Sequence, residues 1–167
     1  SAEFILYALT VATWSTSWIL IKIQMGPVPI WQSVLYRFSI AAVVMFAWVA
    51  LSGRRIWFPA SLPPRFLLMG ALVFSLNFAL FYLAAQWLTS GLLAVVFSLV
   101  TILNPINAAI ILRDRLEPRV LIGALIGVTG IGLIFWPEVS RPESGTAALF
   151  GLASAATGAM CFSLGNM

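Results

Sequence analysis

Residues 66–112 contain no charged side chain. A spanning helix takes about 20 apolar residues, so this run of 47 is too long for one helix and suits two joined by a turn. Thr89-Ser90-Gly91, at its middle, supplies the turn. Four more runs, 4–21, 38–53, 120–137 and 144–167, are also charge-free. With 62% hydrophobic and only 8% charged residues, the chain cannot cover a soluble domain, where about 25% of residues carry charge. The composition excludes a water-soluble enzyme, a nucleic-acid binder and a disordered tail. It leaves an all-α polytopic membrane helix bundle.

Six segments are long and apolar enough to span: 4–25, 30–51, 65–87, 90–112, 120–136 and 146–167. The breakers fall between them. Gly26, Pro27 and Pro29 separate the first pair, and Gly53, Pro59, Pro63 and Pro64 the next. Pro118 sits where a first-turn proline is tolerated, and Pro137 and Pro142 close the fifth segment. The runs show no period-2 alternation, which argues against a closed barrel.

The net charge of +4 reports topology rather than a polyanionic partner. Arg54, Arg55 and Arg65 share one loop, and Arg113, Arg115 and Arg119 share another on the same side. By the positive-inside rule these loops are cytoplasmic, and the N-terminus with them. Trp31, Trp57, Trp87 and Trp136 lie at segment ends, as interfacial anchors do. Trp14 and Trp18 do not. Trp14 is about 16 Å along the first span at 1.5 Å per residue, at mid-membrane depth.

There is one cysteine and no histidine. No intrachain disulfide or Cys/His metal site can form, and no cofactor is expected. The spans contain no Asp or Glu, so proton-coupled exchange through a membrane carboxylate is not available to these helices. Intramembrane proteolysis and metal hydrolysis lack their residues, and the chain reads as a non-enzyme.

Polar groups inside the bilayer are costly and mark candidate function. Thr10, Thr13, Trp14 and Ser17 share one face of the first helix at i, i+3, i+4 and i+7. Asn77 lies near the centre of the third, with Phe81 one turn on. Ser98, Thr101, Asn104 and Asn107 wind along the fourth. These residues form either a polar cavity between helices 1, 3 and 4 or interhelical hydrogen bonds that hold the bundle together. Pro105, inside the fourth span, removes a backbone bond to Thr101 and predicts a kink, either a hinge or static packing. Arg37 lies about 11 Å into helix 2. It snorkels or pairs in the bundle, or faces a wet cavity where it attracts a substrate carboxylate. Lys22 reads as a snorkelling cation. Gly123 and Gly127, and Gly151, Gly158 and Gly165 at seven-residue intervals, mark faces of close helix packing.

Several residues together resemble the EamA-type permeases of the drug/metabolite transporter superfamily. They are Trp14-Ser15, Tyr36-Arg37-Phe38, Ala84-Ala85 with Thr89-Ser90-Gly91-Leu92-Leu93-Ala94, Asn104-Pro105-Ile106, Arg113-Asp114-Arg115-Leu116 and the glycine-rich fifth helix. Asp114 stands where that family usually has Glu. The resemblance implies ten spans in two five-helix repeats, the second inverted. Residues 1–137 then form one repeat, 138–144 a loop, and 145–167 the first helix of the second. An offset of 143 pairs Leu6 with Leu149, Leu9 with Leu152, Ala12 with Ala155 and Trp14 with Thr157. The chain begins without Met and stops at Met167 just after an apolar run, so we expect a piece of a longer protein.

The implied activity is export of amino acids or similar small metabolites, as in the YddG-like exporters of that superfamily. Transport would be facilitative, by alternating access through a central cavity, in a bacterial inner membrane. The resemblance and the polar placement together nominate Trp14, Asn77, Ser98, Thr101, Asn104 and Thr157 as cavity lining. The expected partners are the lipid bilayer, a small-molecule substrate, and a complementary C-terminal half or a second copy of the chain. A proton-coupled drug or cation antiporter, with its carboxylate in the missing half, and a non-transporting membrane anchor or assembly subunit are the rival readings.

Overall fold

The computed structural model describes residues 2–24, 28–54, 59, 62–113, 115–140 and 145–167. Of the sequence features above, Gly26, Pro27, Arg55, Trp57, Asp114 and Pro142 lie outside the described residues.

Among the described residues six helices are long and apolar enough to cross a membrane, and there is no strand. They are α1 (Ala2–Gln24), α2 (Ile30–Leu51), α3 (Pro63–Ala84), α4 (Ser90–Ile111), α5 (Pro118–Val139) and α6 (Gly145–Gly165). Their ends follow from local chemistry. Pro63 and Pro64 open α3 and Pro118 opens α5, in first-turn positions where no N–H is needed. Thr89 caps α4, its Oγ1 accepting from the Leu92 N–H at 3.3 Å. Gly53 ends α2 at φ +63°. Its N–H donates to the Ala50 carbonyl and that of Arg54 to the Val49 carbonyl, the bond pair that closes a helix on a left-handed residue.

Two helix ends differ from the sequence expectation. α3 stops at Ala84, and Gln86 to Leu88 form the following turn through bonds to Leu83 and Ala84. α5 runs through Pro137 to Val139, because a proline in the last turn forfeits one bond without halting the turns before it.

α6 packs mainly along α3, and also against α4 and α5, while α1 rests on the first half of α4 and α2 on the last third of α3. The core lies where α3, α4 and α6 meet. Phe81, Tyr82, Ala84, Ala85, Leu88, Leu93, Val96, Ala155 and Ala159 are all but inaccessible there. The outward faces of α1 and α2 carry exposed Leu, Ile, Val, Phe and Trp, the surface a bilayer solvates.

The glycines of α6 explain its close approach to α3. A methyl on Gly151 would lie 2.9 Å from Leu88 Cγ, one on Gly158 2.9 Å from the Phe81 ring, and one on Gly165 would collide with Val73. Gly127 brings α5 against Ile102 of α4, whose Cδ1 would be 2.8 Å from an added methyl, while Gly123 faces open space in this chain. On α6 the contact points recur every seven residues. On α3 and the turn that follows it they fall at 73, 81 and 88, so one interval is a residue longer.

The extra residue has a visible cause. Gly70–Leu76 is a π-helical segment, with bonds that reach five residues back instead of four. The Asn77 N–H donates to the Leu72 carbonyl and passes over Val73. The Val73 carbonyl accepts from the Asn77 side-chain Nδ2 instead, at 3.1 Å. Asn77 therefore repairs the backbone at the junction between π and α geometry.

Candidate functional site

Asn77 is 3% exposed. With Nδ2 committed to Val73, the amide cannot be flipped, because a carbonyl needs a donor. Its Oδ1 is therefore fixed as an acceptor, and it is buried with no hydrogen-bond partner. A buried acceptor in that state is costly. Asn77 is one of the residues that line a cavity of about 30 Å³, with Trp14, Ser17, Trp18, Ile21, Phe78, Phe81 and Phe97, room for one or two waters.

The walls are aromatic. Trp14 stacks on Phe97 at 5.6 Å and meets Phe162 edge-on at 6.3 Å. Trp18 contacts Phe81 at 5.1 Å and Phe97 at 5.2 Å. Phe97 also meets Phe81 and Phe162 edge-on. Each such pair adds about 0.5–1.5 kcal/mol beyond its burial, so the rings form a connected plate drawn from α1, α3, α4 and α6. Trp14 is 43% exposed at the edge of that plate.

The structure brings Trp14 and Asn77 to one cavity and disperses the other nominated residues. Ser98, Thr101 and Thr157 are exposed, and each hydroxyl donates to its own helix, to Val95, Ser98 and Ala153 respectively. Thr10, Thr13 and Ser17 back-bond in the same way to Leu6, Leu9 and Thr13. Asn104 is half-buried, with its Oδ1 unpartnered. Asn107 donates to Ser163 Oγ at 2.8 Å and holds α4 to α6. The turns of α4 are interrupted at Ser98–Leu99, where bonds tighten to i−3. Pro105 sits within the continuous stretch Val100–Ile111.

Residues missed from the nominated lining are Ser17, Trp18, Ile21, Phe78, Phe81 and Phe97. Their signal was present for Trp18, a tryptophan away from any segment end, but phenylalanines in apolar helices carry none. Lys22 was expected to snorkel. Its Nζ instead donates to the Ala85 carbonyl just beyond α3, where a cation complements the helix C-terminus. Tyr82 OH donates to Gln24 Oε1 at the same end of the two helices.

Residues 2–136 match the EamA-like transporter family. An uncharacterized transporter from Archaeoglobus fulgidus is 32% identical over 143 residues, covering 83% of this chain and 49% of that protein. The chain thus spans about half the length of the curated relative it matches. No solved structure matches. With six apolar helices of spanning length, the chain is an integral membrane protein and belongs to the EamA-like transporter family of the drug/metabolite transporter superfamily.

Proposed function

We propose that this protein exports amino acids or similarly small metabolites, in the manner of the YddG-like exporters, by facilitative alternating access through the cavity walled by Trp14 and Asn77. The observation that carries this reading is the unpartnered Oδ1 of Asn77, a fixed and buried acceptor on a residue that lines an aromatic cavity. One strong polar group among apolar walls is the usual make-up of a small-molecule site. It suits a solute that offers an N–H donor and some apolar surface.

The cavity is smaller than any amino acid, so passage requires Trp14, Phe78 or Phe97 to swing aside. Alternating access would come from rocking of α1–α5 against an inverted second repeat that begins with α6. Glu3 and Glu138 stand in the terminal turns of α1 and α5, and between the terminal turns the six helices carry no Asp or Glu, which supports facilitated rather than proton-coupled movement. The further partners under this reading are the bilayer and a complementary half or second copy. The site is the inner membrane, with the N-terminus cytoplasmic. Ser98, Thr101, Asn104 and Thr157 would join the lining in another state of the cycle.

The test is efflux of radiolabelled neutral amino acids from proteoliposomes. Trp14→Ala and Asn77→Ala should each cut the rate at least tenfold in protein that still elutes as a monodisperse species. Full flux in both variants would remove the site, and no flux in the wild type would favour the membrane-anchor reading.

A further inference from the structure

Arg37 is the eighth residue of α2, about 11 Å from its start, and half-buried. Among the described residues it has no ion pair and no hydrogen bond, so its five N–H donors are unused. Its neighbours are rings. The guanidinium carbon lies 5.0 Å from the Phe78 centroid and 5.9 Å from that of Phe38. Phe38 in turn meets Phe78 edge-on at 4.8 Å. A ring face attracts a guanidinium but neither neutralises it nor accepts its N–H groups as an oxygen would. An intramembrane cation in that state has its N–H groups open to an anion or to a headgroup reached by snorkelling.

Phe78 is also a wall of the central cavity and follows Asn77 in the chain. Phe78 therefore has the guanidinium of Arg37 against its ring and belongs, with Asn77, to the lining of the central cavity. The two unused polar groups have opposite character. Arg37 offers a planar fork of donors, which fits a carboxylate in two parallel bonds. Asn77 Oδ1 offers an acceptor that cannot reverse. An α-amino acid zwitterion carries the complementary pair, a carboxylate and an ammonium two bonds apart. A purely cationic solute would be repelled by Arg37.

We propose that Arg37 binds the carboxylate of the transported solute, with Phe78 as the ring it leaves to do so, and that the solute class is the zwitterionic α-amino acid. This rests on the export reading above and adds a requirement to it. The solute must carry a carboxylate, and Arg37 must read it.

The probes are L-leucine, N-acetyl-L-leucine, which keeps the carboxylate and loses the ammonium, and L-leucinamide, which does the reverse. In proteoliposomes N-acetyl-L-leucine should compete with leucine efflux and leucinamide should not. Arg37→Gln should weaken N-acetyl-L-leucine at least tenfold. Arg37→Lys, which keeps the charge but not the fork, should fall between. Tryptophan fluorescence of the purified protein, titrated with N-acetyl-L-leucine, reads binding without transport and should lose its response in Arg37→Gln but not in wild type.

Equal competition by leucinamide and N-acetyl-L-leucine overturns the proposal and leaves export standing. So does an Arg37→Gln effect that follows the phosphatidylglycerol content of the vesicle with unchanged ligand preference, since Arg37 would then serve a lipid headgroup. An Arg37-dependent fluorescence response in a protein that moves no leucine keeps the carboxylate site and removes the export reading.

Discussion

Gly158 of α6 lies directly against Asn77 of α3, and a methyl added to it would stand 3.2 Å from the Asn77 carbonyl oxygen and 2.9 Å from the Phe81 ring. The helix packing and the candidate site therefore share one contact. Gly158→Ala should force α6 away from α3, at a cost of about 1–3 kcal/mol for overpacking, and should lower amino-acid efflux. Gly123→Ala, which meets nothing within 4 Å, should leave both unchanged. Thermal unfolding in detergent alongside proteoliposome flux compares the two, and equal effects from both would contradict the packing account.

Asn77 sets stability against activity. Replacing it with Leu removes the Nδ2 bond to Val73, worth about 1 kcal/mol. It also removes the stranded Oδ1, whose burial costs about 1–3 kcal/mol. Asn77→Leu should therefore melt within a few degrees of the wild type, or above it, while efflux falls at least tenfold. A large loss of melting temperature would mean that the repair of the Val73 carbonyl outweighs the stranded oxygen.

Asn107 and Ser163 join α4 to α6 through a 2.8 Å hydrogen bond with both partners buried. Side-chain bonds between membrane helices average about 0.6 kcal/mol and reach about 1.7. This one should lie in the upper half of that range, because among the described residues Asn107 Nδ2 has only Met160 Sδ, at 3.5 Å, as a further acceptor. A double-mutant cycle with Asn107→Ala and Ser163→Ala gives the coupling energy, and strict additivity would show that the bond contributes nothing.

The C-terminal ends of α1 and α3 are tied by Lys22 to the Ala85 carbonyl and by Tyr82 to Gln24. Lys22→Met should destabilise by about 1–2 kcal/mol, the range for a partly buried cation at a helix C-terminus. Tyr82→Phe should cost about 1 kcal/mol for its hydroxyl bond. Denaturation in graded SDS measures both. If Lys22→Met matches the wild type, the side chain is solvated at the interface as the sequence alone suggested.

The sequence conveyed the spans and most of their ends, because length, hydropathy and prolines at first turns act locally. It also conveyed that Asn77 and Trp14 stand near the middle of their helices, since that is a count along one helix. It did not convey the aromatic plate. Trp18, Phe81, Phe97 and Phe162 meet only through the packing of four helices, and a phenylalanine in an apolar run looks the same in a site or in lipid. Gly123 and Gly127 make one motif on paper, yet only Gly127 has a neighbour to receive. Lys22 looked like a snorkelling cation because its partner is a backbone carbonyl 63 residues away, and carbonyls have no letter in a sequence. The hydroxyls of Ser98, Thr101 and Thr157 looked available for a solute, but the i−3 or i−4 carbonyl of the same helix is always within reach.

The π-helical segment Gly70–Leu76 bears on how the gene can change. Losing one residue from an α-helix turns everything beyond it by about 100°, so single-codon deletions in spanning helices are ordinarily ruinous. Here the loss of one residue between Gly70 and Leu76 would relax the wide turn to an ordinary one, and both flanks of the helix would keep their faces toward α6. This stretch is where the bundle can shorten by a codon and still fold, and what such a variant surrenders is the setting of Asn77.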